Sequence, residues 1–388
     1  MDRIDDFLQQ RKAEGLLRTL KPADWRRNGV ICFKGVELID FSSNDYLGLA
    51  DHPQLKQAAK DALDKFGTGV GASRLLSGDL KLHHRLEEAT ARFEGKEAAL
   101  VFNSGYQANV GMISSLCSNV DAVFADRLAH ASILDGVSLS GAKLFRFAHN
   151  DAGHLESLLK KGQGNFDNKL IVTESVFSMD GDRPPLKDLV DSKERYGCRL
   201  LVDEAHATGI FGPDGAGVVS EEGLTAQVEL IMGTFSKALG SFGGYVAASR
   251  KIIDYLINTS RSFIYSTALP ASVIACNLAA IEVVKAEGFR RTALLENAAY
   301  LRSSLTDRGL EIKGDSQIVP LMVGDAASAV EMSERLQKEG FWVMPIRPPT
   351  VPPKQARLRF SLNFGHKRTD LQRLVEHIGE AMRVRICR

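Results

Sequence analysis

One lysine stands in unusual company. The stretch Gly233-Thr234-Phe235-Ser236-Lys237-Ala238-Leu239-Gly240-Ser241-Phe242-Gly243-Gly244 sets Lys237 among small, hydroxylated and glycine residues. Val228-Glu229-Leu230-Ile231-Met232 before it is apolar enough for a buried strand, and Tyr245-Val246-Ala247-Ala248 after it is a second short apolar run. Burying a lysine at the end of a core strand lowers its pKa, which makes a nucleophilic amine available near neutral pH. Thr234 and Ser236 offer hydroxyl donors that suit a phosphate, and the glycines let a bulky ligand approach the backbone. By itself the pattern is met more simply by a surface loop whose lysine is solvated.

An acid upstream changes the reading. Cys198-Arg199-Leu200-Leu201-Val202-Asp203-Glu204-Ala205-His206 is an apolar strand ending in Asp203, with a histidine three residues further on. A strand-end aspartate 34 residues before a strand-end lysine, in parallel-sheet context, is what pyridoxal phosphate needs. The lysine binds the cofactor's carbonyl carbon covalently, and the aspartate keeps the ring nitrogen protonated. Asp203-Glu204-Ala205-His206 also spells the acid cluster of certain helicases. That reading needs a phosphate-binding Walker A loop, and the chain has none: Gly95-Lys96 is followed by Glu97, and the glycine-rich Gly67–Gly78 lacks the closing Gly-Lys-Ser/Thr.

These residues resemble the α-oxoamine synthases, fold-type I pyridoxal-phosphate enzymes that join an amino acid to an acyl thioester and release CO2. The resemblance spans nearly the whole chain. It includes Ser42-Ser43-Asn44-Asp45-Tyr46-Leu47-Gly48-Leu49, Asp126-Arg127-Leu128-Ala129-His130-Ala131-Ser132, Val176-Phe177-Ser178-Met179-Asp180-Gly181-Asp182, Phe263-Ile264-Tyr265-Ser266-Thr267-Ala268-Leu269-Pro270 and Ile346-Arg347-Pro348-Pro349-Thr350-Val351-Pro352. Single motifs are weak; the set is specific.

The resemblance implies roles. Lys237 carries the cofactor and acts as base at the substrate's Cα, and Asp203 faces the ring nitrogen. His206 and Ser178 stand near the phenolic oxygen, and His130 stacks on the ring and helps polarise the acyl oxygen. Gly105 and Tyr106, opening a helix, meet the phosphate together with Thr234. Ser266 or Thr267 reaches the phosphate of the neighbouring subunit, which implies a homodimer with the glycine-rich 67–78 loop near the interface. Arg359, with Asn44, holds the amino-acid carboxylate, as a bidentate arginine does. Arg18 and Thr350 reach the acyl substrate. The proline-threonine motif at 346–352 is most like the biotin-pathway member, so the implied substrates are L-alanine and a pimeloyl thioester, carried on coenzyme A or on a carrier protein. Glycine C-acetyltransferase, 5-aminolevulinate synthase and serine palmitoyltransferase share Lys237 and Asp203, so those two residues do not separate them. A fold-type I aminotransferase fits fewer of the motifs. A non-catalytic binding protein on this fold would have no use for the full set of chemical residues.

Composition sets the class. The chain has 388 residues, 44% of them hydrophobic, and a net charge of +1 from 49 basic and 48 acidic residues. That balance gives no nucleic-acid footprint and no strong membrane-surface field. The five cysteines, Cys32, Cys117, Cys198, Cys276 and Cys387, are scattered and contain no Cys-x-x-Cys pair, so neither a disulfide framework nor a metal knuckle is implied. Reduced thiols, a charged start at Met1-Asp2-Arg3-Ile4-Asp5-Asp6 and the absence of a long apolar run lead to the expectation of a cytoplasmic enzyme.

The elements follow from periodicity. Ile4, Phe7, Leu8, Leu16, Leu17 and Leu20 predict an amphipathic helix ending near Pro22. Val30–Phe33 and Val36–Phe41 predict a hairpin turning at Lys34-Gly35. From Ala98, short apolar runs alternate with helical stretches: 98–102, 121–125, 143–147, 169–173, 199–202 and 230–233. This predicts an α/β fold with a mainly parallel seven-stranded sheet flanked by helices. Ligands bind at the carboxyl ends of such strands, which places Gly105, Ser178, Asp203 and Lys237 on one rim. Helix 271–286 leads to a second set: helix 288–308, strand 318–323, helix 327–340, strand 341–346, strand 356–362 and a final helix. The expected division is an arm at 1–45, a cofactor domain at 46–287 and a small α/β domain at 288–388.

Overall fold

The computed structural model describes residues 2–386. Contacts divide the chain into two compact units: residues 49–178 with 183–291, and residues 1–48 with 179–182 and 292–388.

The first unit is built on a seven-stranded sheet whose spatial order is Ala98–Phe102, Gly244–Ala248, Leu230–Thr234, Arg199–Asp203, Lys169–Glu174, Ala122–Asp126, Lys143–Phe147. Gly244–Ala248 runs antiparallel to both neighbours. The remaining pairs, from Leu230–Thr234 outward to Lys143–Phe147, are parallel. Two successive reversals make Ala98–Phe102 run parallel to Leu230–Thr234, so six strands end at the same rim. The inner strands are buried along their length, as a sheet covered on both faces requires: Val123, Val172, Leu201, Leu230 and Val246 are at most 4% exposed and pack with Met112, Ile113 and Ile133 from the covering helices.

Several strands extend beyond their last apolar position. Ala122–Asp126, Lys169–Glu174 and Arg199–Asp203 each end on a buried carboxylate. The ladder sets Glu174 opposite Asp203, and Asp203 opposite Met232. Sequence periodicity places the ends one residue earlier because it stops where apolarity stops, whereas backbone pairing continues.

The second unit contains two small sheets. One is Trp25–Arg27, Val30–Phe33, Val36–Asp40 and Phe341–Trp342; the other is Ile318–Gly324, Ala356–Ser361 and Pro345–Ile346. The hairpin turns at Lys34-Gly35 as expected. The run 341–346, expected as one strand, splits. Phe341 and Trp342 pair in parallel with Ile39 and Asp40, while Pro345 and Ile346 pair with Leu358 and Arg357. These ladders group residues 1–48 with the C-terminal residues. The N-terminal helix is also shorter than its apolar pattern: it spans Arg3–Ala13, and Gly15 at φ +65° follows its end. It buries none of its residues, and Leu20 lies fully exposed beyond it. Cys32, Cys117, Cys198 and Cys276 are free thiols, and Cys387 lies outside the described residues. No described helix is long and apolar enough to cross a membrane.

Candidate active site

Lys237 lies on the turn directly after strand Leu230–Thr234, half-buried, with Nζ 2.8 Å from Nε2 of the buried His206. The short loop after Arg199–Asp203 brings His206 there. At that strand's end Asp203 is 4% exposed. Its Oδ1 accepts from the backbone amide of Ala205 at 2.9 Å, and its Oδ2 accepts from Asn109 Nδ2, also at 2.9 Å. Each oxygen retains a lone pair for a further donor.

Asn109 belongs to helix Gly105–Leu116, which starts at the rim after Ala98–Phe102. It also donates to Ser132 Oγ at 3.0 Å, and Ser132 Oγ lies 2.7 Å from His130 Nδ1. A hydrogen-bonded chain therefore links His130 to Asp203. His130 is open to solvent on the surface of the unit, yet the surrounding protein desolvates it enough to push its pKa below the usual imidazole range. Asp203 opposes that shift and the cationic Lys237 adds to it. The buried Glu174, opposite Asp203, is raised well above the usual carboxylate range by burial and by Asp203's charge.

The start of helix Gly105–Leu116 is capped by Ser104, whose Oγ accepts from Gln107 N at 3.2 Å. The first-turn amides of Gly105 and Tyr106 have no intrahelical acceptor, the usual arrangement at an anion site. The helix start is pressed onto the sheet: a Cβ at Gly244 would fall 2.5 Å from Gly105 N, so only glycine fits there. A Cβ on Gly105 would lie 3.9 Å from Thr234 Cβ, which puts the Thr234 end of its strand beside those amides. Thr234 Oγ1 donates to Gly243 O at 2.7 Å and accepts from Ser236 N at 3.2 Å, holding the turn before Lys237. Tyr106 is exposed, and its hydroxyl donates to Asp135. Ser178 lies half-buried in the turn after Lys169–Glu174. The rim thus carries Ser178, Asp203 and Lys237 at or after the ends of three adjacent strands, and Gly105 after Ala98–Phe102, with Gly244–Ala248 in between.

This donor set fits pyridoxal phosphate. It offers an amine on a short turn, a buried carboxylate with a spare lone pair on each oxygen, and a glycine-packed helix start for a phosphate. The sequence singled out neither Asn109, Ser132 nor Glu174. A lone asparagine on an apolar helix, one turn after Gly105, is the only trace Asn109 leaves.

In the segment after the sheet, Ser266 Oγ donates to Ser262 O at 2.7 Å within its own chain, whereas Thr267 is exposed. The backbone carbonyl of Thr267 accepts from Asn103 Nδ2 at 2.8 Å, and Thr267 bridges to Ser73 of the glycine-rich loop.

The other unit carries the remaining candidates. Arg359, on strand Ala356–Ser361, is 7% exposed. It donates to Asn44 Oδ1 and to the Tyr46 hydroxyl, each at 3.2 Å, and to Ser361 Oγ. Tyr46 and Ser361 were not anticipated; they fix the guanidinium plane. Arg18 and Thr350 meet directly, Arg18 Nη2 lying 2.9 Å from Thr350 Oγ1, and Arg347 Nη1 holds Gly15 O at 2.5 Å beside them.

Residues 36–378 match the family model of class I and II aminotransferases. A protein named 8-amino-7-oxononanoate synthase from Geobacter sulfurreducens is 49% identical over 371 residues, 95% of each chain. The chain belongs to this family, in its α-oxoamine synthase branch. Among solved structures, serine palmitoyltransferase from Sphingomonas wittichii superposes with a TM-score of 0.93 at 33% identity, over 99% of this chain and 98% of that one. The 8-amino-7-oxononanoate synthase from Francisella tularensis gives a TM-score of 0.79 at 30% identity, over 90% and 99%. The protein is a pyridoxal-phosphate-dependent enzyme of fold type I.

Proposed function

We propose that the enzyme condenses L-alanine with a pimeloyl thioester, on coenzyme A or a carrier protein, in biotin synthesis. The products are 8-amino-7-oxononanoate, CO2 and the free thiol, and one proton is consumed. The observation that carries the chemistry is Lys237 Nζ, 2.8 Å from His206 Nε2, beside the buried, hydrogen-bonded Asp203. The 49% identity to a named synthase of this product carries the substrates. Serine palmitoyltransferase has a higher TM-score than the Francisella synthase, but backbone shape is common to the whole branch and does not select an acyl chain.

Pyridoxal phosphate, when bound, supplies the electron sink that stabilises negative charge at the amino acid's Cα. Lys237 would hold it covalently, Gly105, Tyr106 and Thr234 its phosphate, Asp203 its ring nitrogen, and His206 and Ser178 its phenolic oxygen. Lys237 would also be the base for the Cα proton, and His206 would share that proton across their contact. Asn109 aims the Asp203 carboxylate. His130, kept neutral by desolvation and accepting from Ser132 N at Nδ1, can donate a hydrogen bond to the acyl oxygen near pH 7 without adding charge to the ring face. Arg359 binds the alanine carboxylate, which leaves as CO2 after the new C–C bond forms. Arg18 and Thr350 contact the acyl substrate. Thr267 of one subunit completes the phosphate site of the other in a homodimer.

The test incubates the holoenzyme with L-alanine and pimeloyl-CoA and follows thiol release and product mass. Stoichiometric 8-amino-7-oxononanoate supports the reading. Thiol release only with a different acyl chain overturns the substrate assignment, and no turnover with any amino acid and thioester overturns the reaction class.

A further inference from the structure

The segment Met179–Asp182 groups apart from its chain neighbours. It belongs with residues 1–48 and 292–388, whereas Ser178 before it and Arg183 after it belong to the sheet unit. Its attachment is specific. Arg357 Nη1 donates to Asp180 Oδ1 at 2.6 Å and to Met179 O at 3.3 Å, and Lys313 Nζ lies 3.4 Å from the same Asp180 oxygen. The carbonyl of Gly181 accepts from the amides of Asp315 and Ser316 at 3.1 and 3.2 Å. A Cβ on Gly181 would fall 2.5 Å from Ile318 O, and one on Gly314 would fall 2.4 Å from Asp180 O, so the backbones touch where no side chain fits.

Arg357 is 1% exposed, the largest fully buried side chain among the described residues. Strand alternation puts Arg357, Arg359 and Ser361 on one face. Arg357 therefore stands beside the arginine that bonds Asn44, Tyr46 and Ser361, yet Arg357 bonds Asp180, Met179 and its strand neighbour Gln355. An apolar pair of the same volume would pack the segment as well as a buried ion pair does. What the ion pair adds is direction: it fixes the segment's register on the strand.

We propose that Asp180 and Arg357 are positioning residues that latch the peptide continuing from Ser178 onto the strand that carries Arg359. Engagement of the amino-acid carboxylate by Arg359 then orders the Met179–Asp182 segment. This rests on the role given above to Arg359, and the experiment separates the two levels.

The holoenzyme is titrated with L-alanine alone. The cofactor's absorbance change gives the apparent Kd, and hydrogen exchange over residues 176–182 reads the latch. In the wild type, saturating alanine slows exchange in 176–182. The double variant Asp180→Asn/Arg357→Met replaces the ion pair with a neutral one and leaves no unpaired buried charge. It keeps the wild-type affinity for pyridoxal phosphate, binds alanine about tenfold more weakly, and loses the alanine-dependent protection. Arg357→Lys restores part of both. A response of the wild-type absorbance to alanine without protection of 176–182 overturns the latch alone, as does a folded double variant with unchanged alanine affinity. Should the double variant not fold, the wild-type exchange measurement decides. No absorbance response of the wild type to L-alanine overturns the functional reading, and the latch with it.

Discussion

Asn109 Nδ2 lies 2.9 Å from Asp203 Oδ2, so the carboxylate proposed to meet the ring nitrogen is oriented from a helix on one oxygen and by the Ala205 amide on the other. Asp203→Asn keeps the shape and removes the charge. We expect turnover to fall by about a hundredfold or more, the scale of losing one preorganised electrostatic contact, with the fold intact by circular dichroism. Asn109→Ala leaves the charge but frees its direction, so a smaller loss, about tenfold, is expected. Wild-type turnover in Asp203→Asn would place the ring-nitrogen partner elsewhere.

If Lys237 holds the cofactor and takes the Cα proton as proposed, Lys237→Ala removes both the covalent attachment and the base. Multiple turnover should drop by at least about a thousandfold, and borohydride should no longer fix the cofactor to the chain. Because His206 Nε2 is 2.8 Å from Lys237 Nζ, His206→Asn should also shift the pH at which the lysine-bound cofactor's absorbance changes. An unmoved absorbance titration in His206→Asn would show that the contact does not tune the lysine.

Two more acids of the sheet unit are buried, Glu94 and Glu204. Burial pushes Glu94 up to about 8 and Glu204 up to about 7 from the ordinary 4.5. The Tyr245 hydroxyl donates to Glu94, and Glu204 accepts from Ser175 Oγ and from the amides of Val218 and Val219. A raised folded-state pKa means that the folded chain keeps a proton the unfolded chain releases. This stabilising contribution is whole below about pH 4.5 and declines as pH rises, until it is gone above about 8. The melting temperature should therefore fall between pH 5 and 8 on account of Glu94. Glu94→Gln keeps an acceptor for Tyr245 and cannot ionise, so its melting curve should depend less on pH over that range. A parallel pair of Tm–pH curves would show that Glu94 does not titrate there.

The sheet was legible because its strands are buried on both faces and read as apolar runs separated by helices. Not every last residue was: Asp126 and Glu174 continue the ladder although they are charged, and only backbone pairing reveals it. Asp203 could be found because it ends a visible strand, and Lys237 because it follows one closely, on the turn after Leu230–Thr234. Asn109 and Ser132 could not, since their bonds join residues 94 and 23 positions apart, and either residue alone reads as an ordinary polar helix position. The apolar run 341–346 misled for a different reason. Two short segments on either side of Val343-Met344 serve different sheets, and apolarity does not say which neighbour a strand pairs with.

Assembly can be tested by complementation. Ser266 Oγ is held by Ser262 O in its own chain, while Thr267 is exposed, so Thr267 is the better candidate to reach a neighbour's phosphate. Lys237→Ala and Thr267→Ala chains are each expected to be impaired. Mixed under conditions of subunit exchange, they form heterodimers with one intact site, and activity should rise above that of either parent. Proven exchange without recovery would mean that each site is built from one chain.

Substrate choice can be read at the acyl end. Arg18 Nη2 and Thr350 Oγ1 meet at 2.9 Å, although they lie 332 residues apart, and the prolines around Thr350 limit the ordering cost of presenting its hydroxyl. If this pair contacts the acyl thioester, Arg18→Ala should raise KM for pimeloyl-CoA by about tenfold or more, the scale of one charge-assisted hydrogen bond, and leave KM for L-alanine unchanged. Arg359→Lys should do the reverse, because a lysine cannot reproduce the guanidinium's bonds to Asn44, Tyr46 and a carboxylate at once. Alanine itself should be selected only modestly over glycine, since one methyl group in an apolar pocket is worth about 1–3 kcal/mol. Pimeloyl should be preferred over acetyl, succinyl and palmitoyl by a larger factor, because the chain needs a channel of matching length. Steady-state kinetics with both amino acids and all four thioesters decide the matter. A higher kcat/KM for glycine with acetyl-CoA would overturn the substrate assignment while leaving Lys237 and Asp203 in their roles.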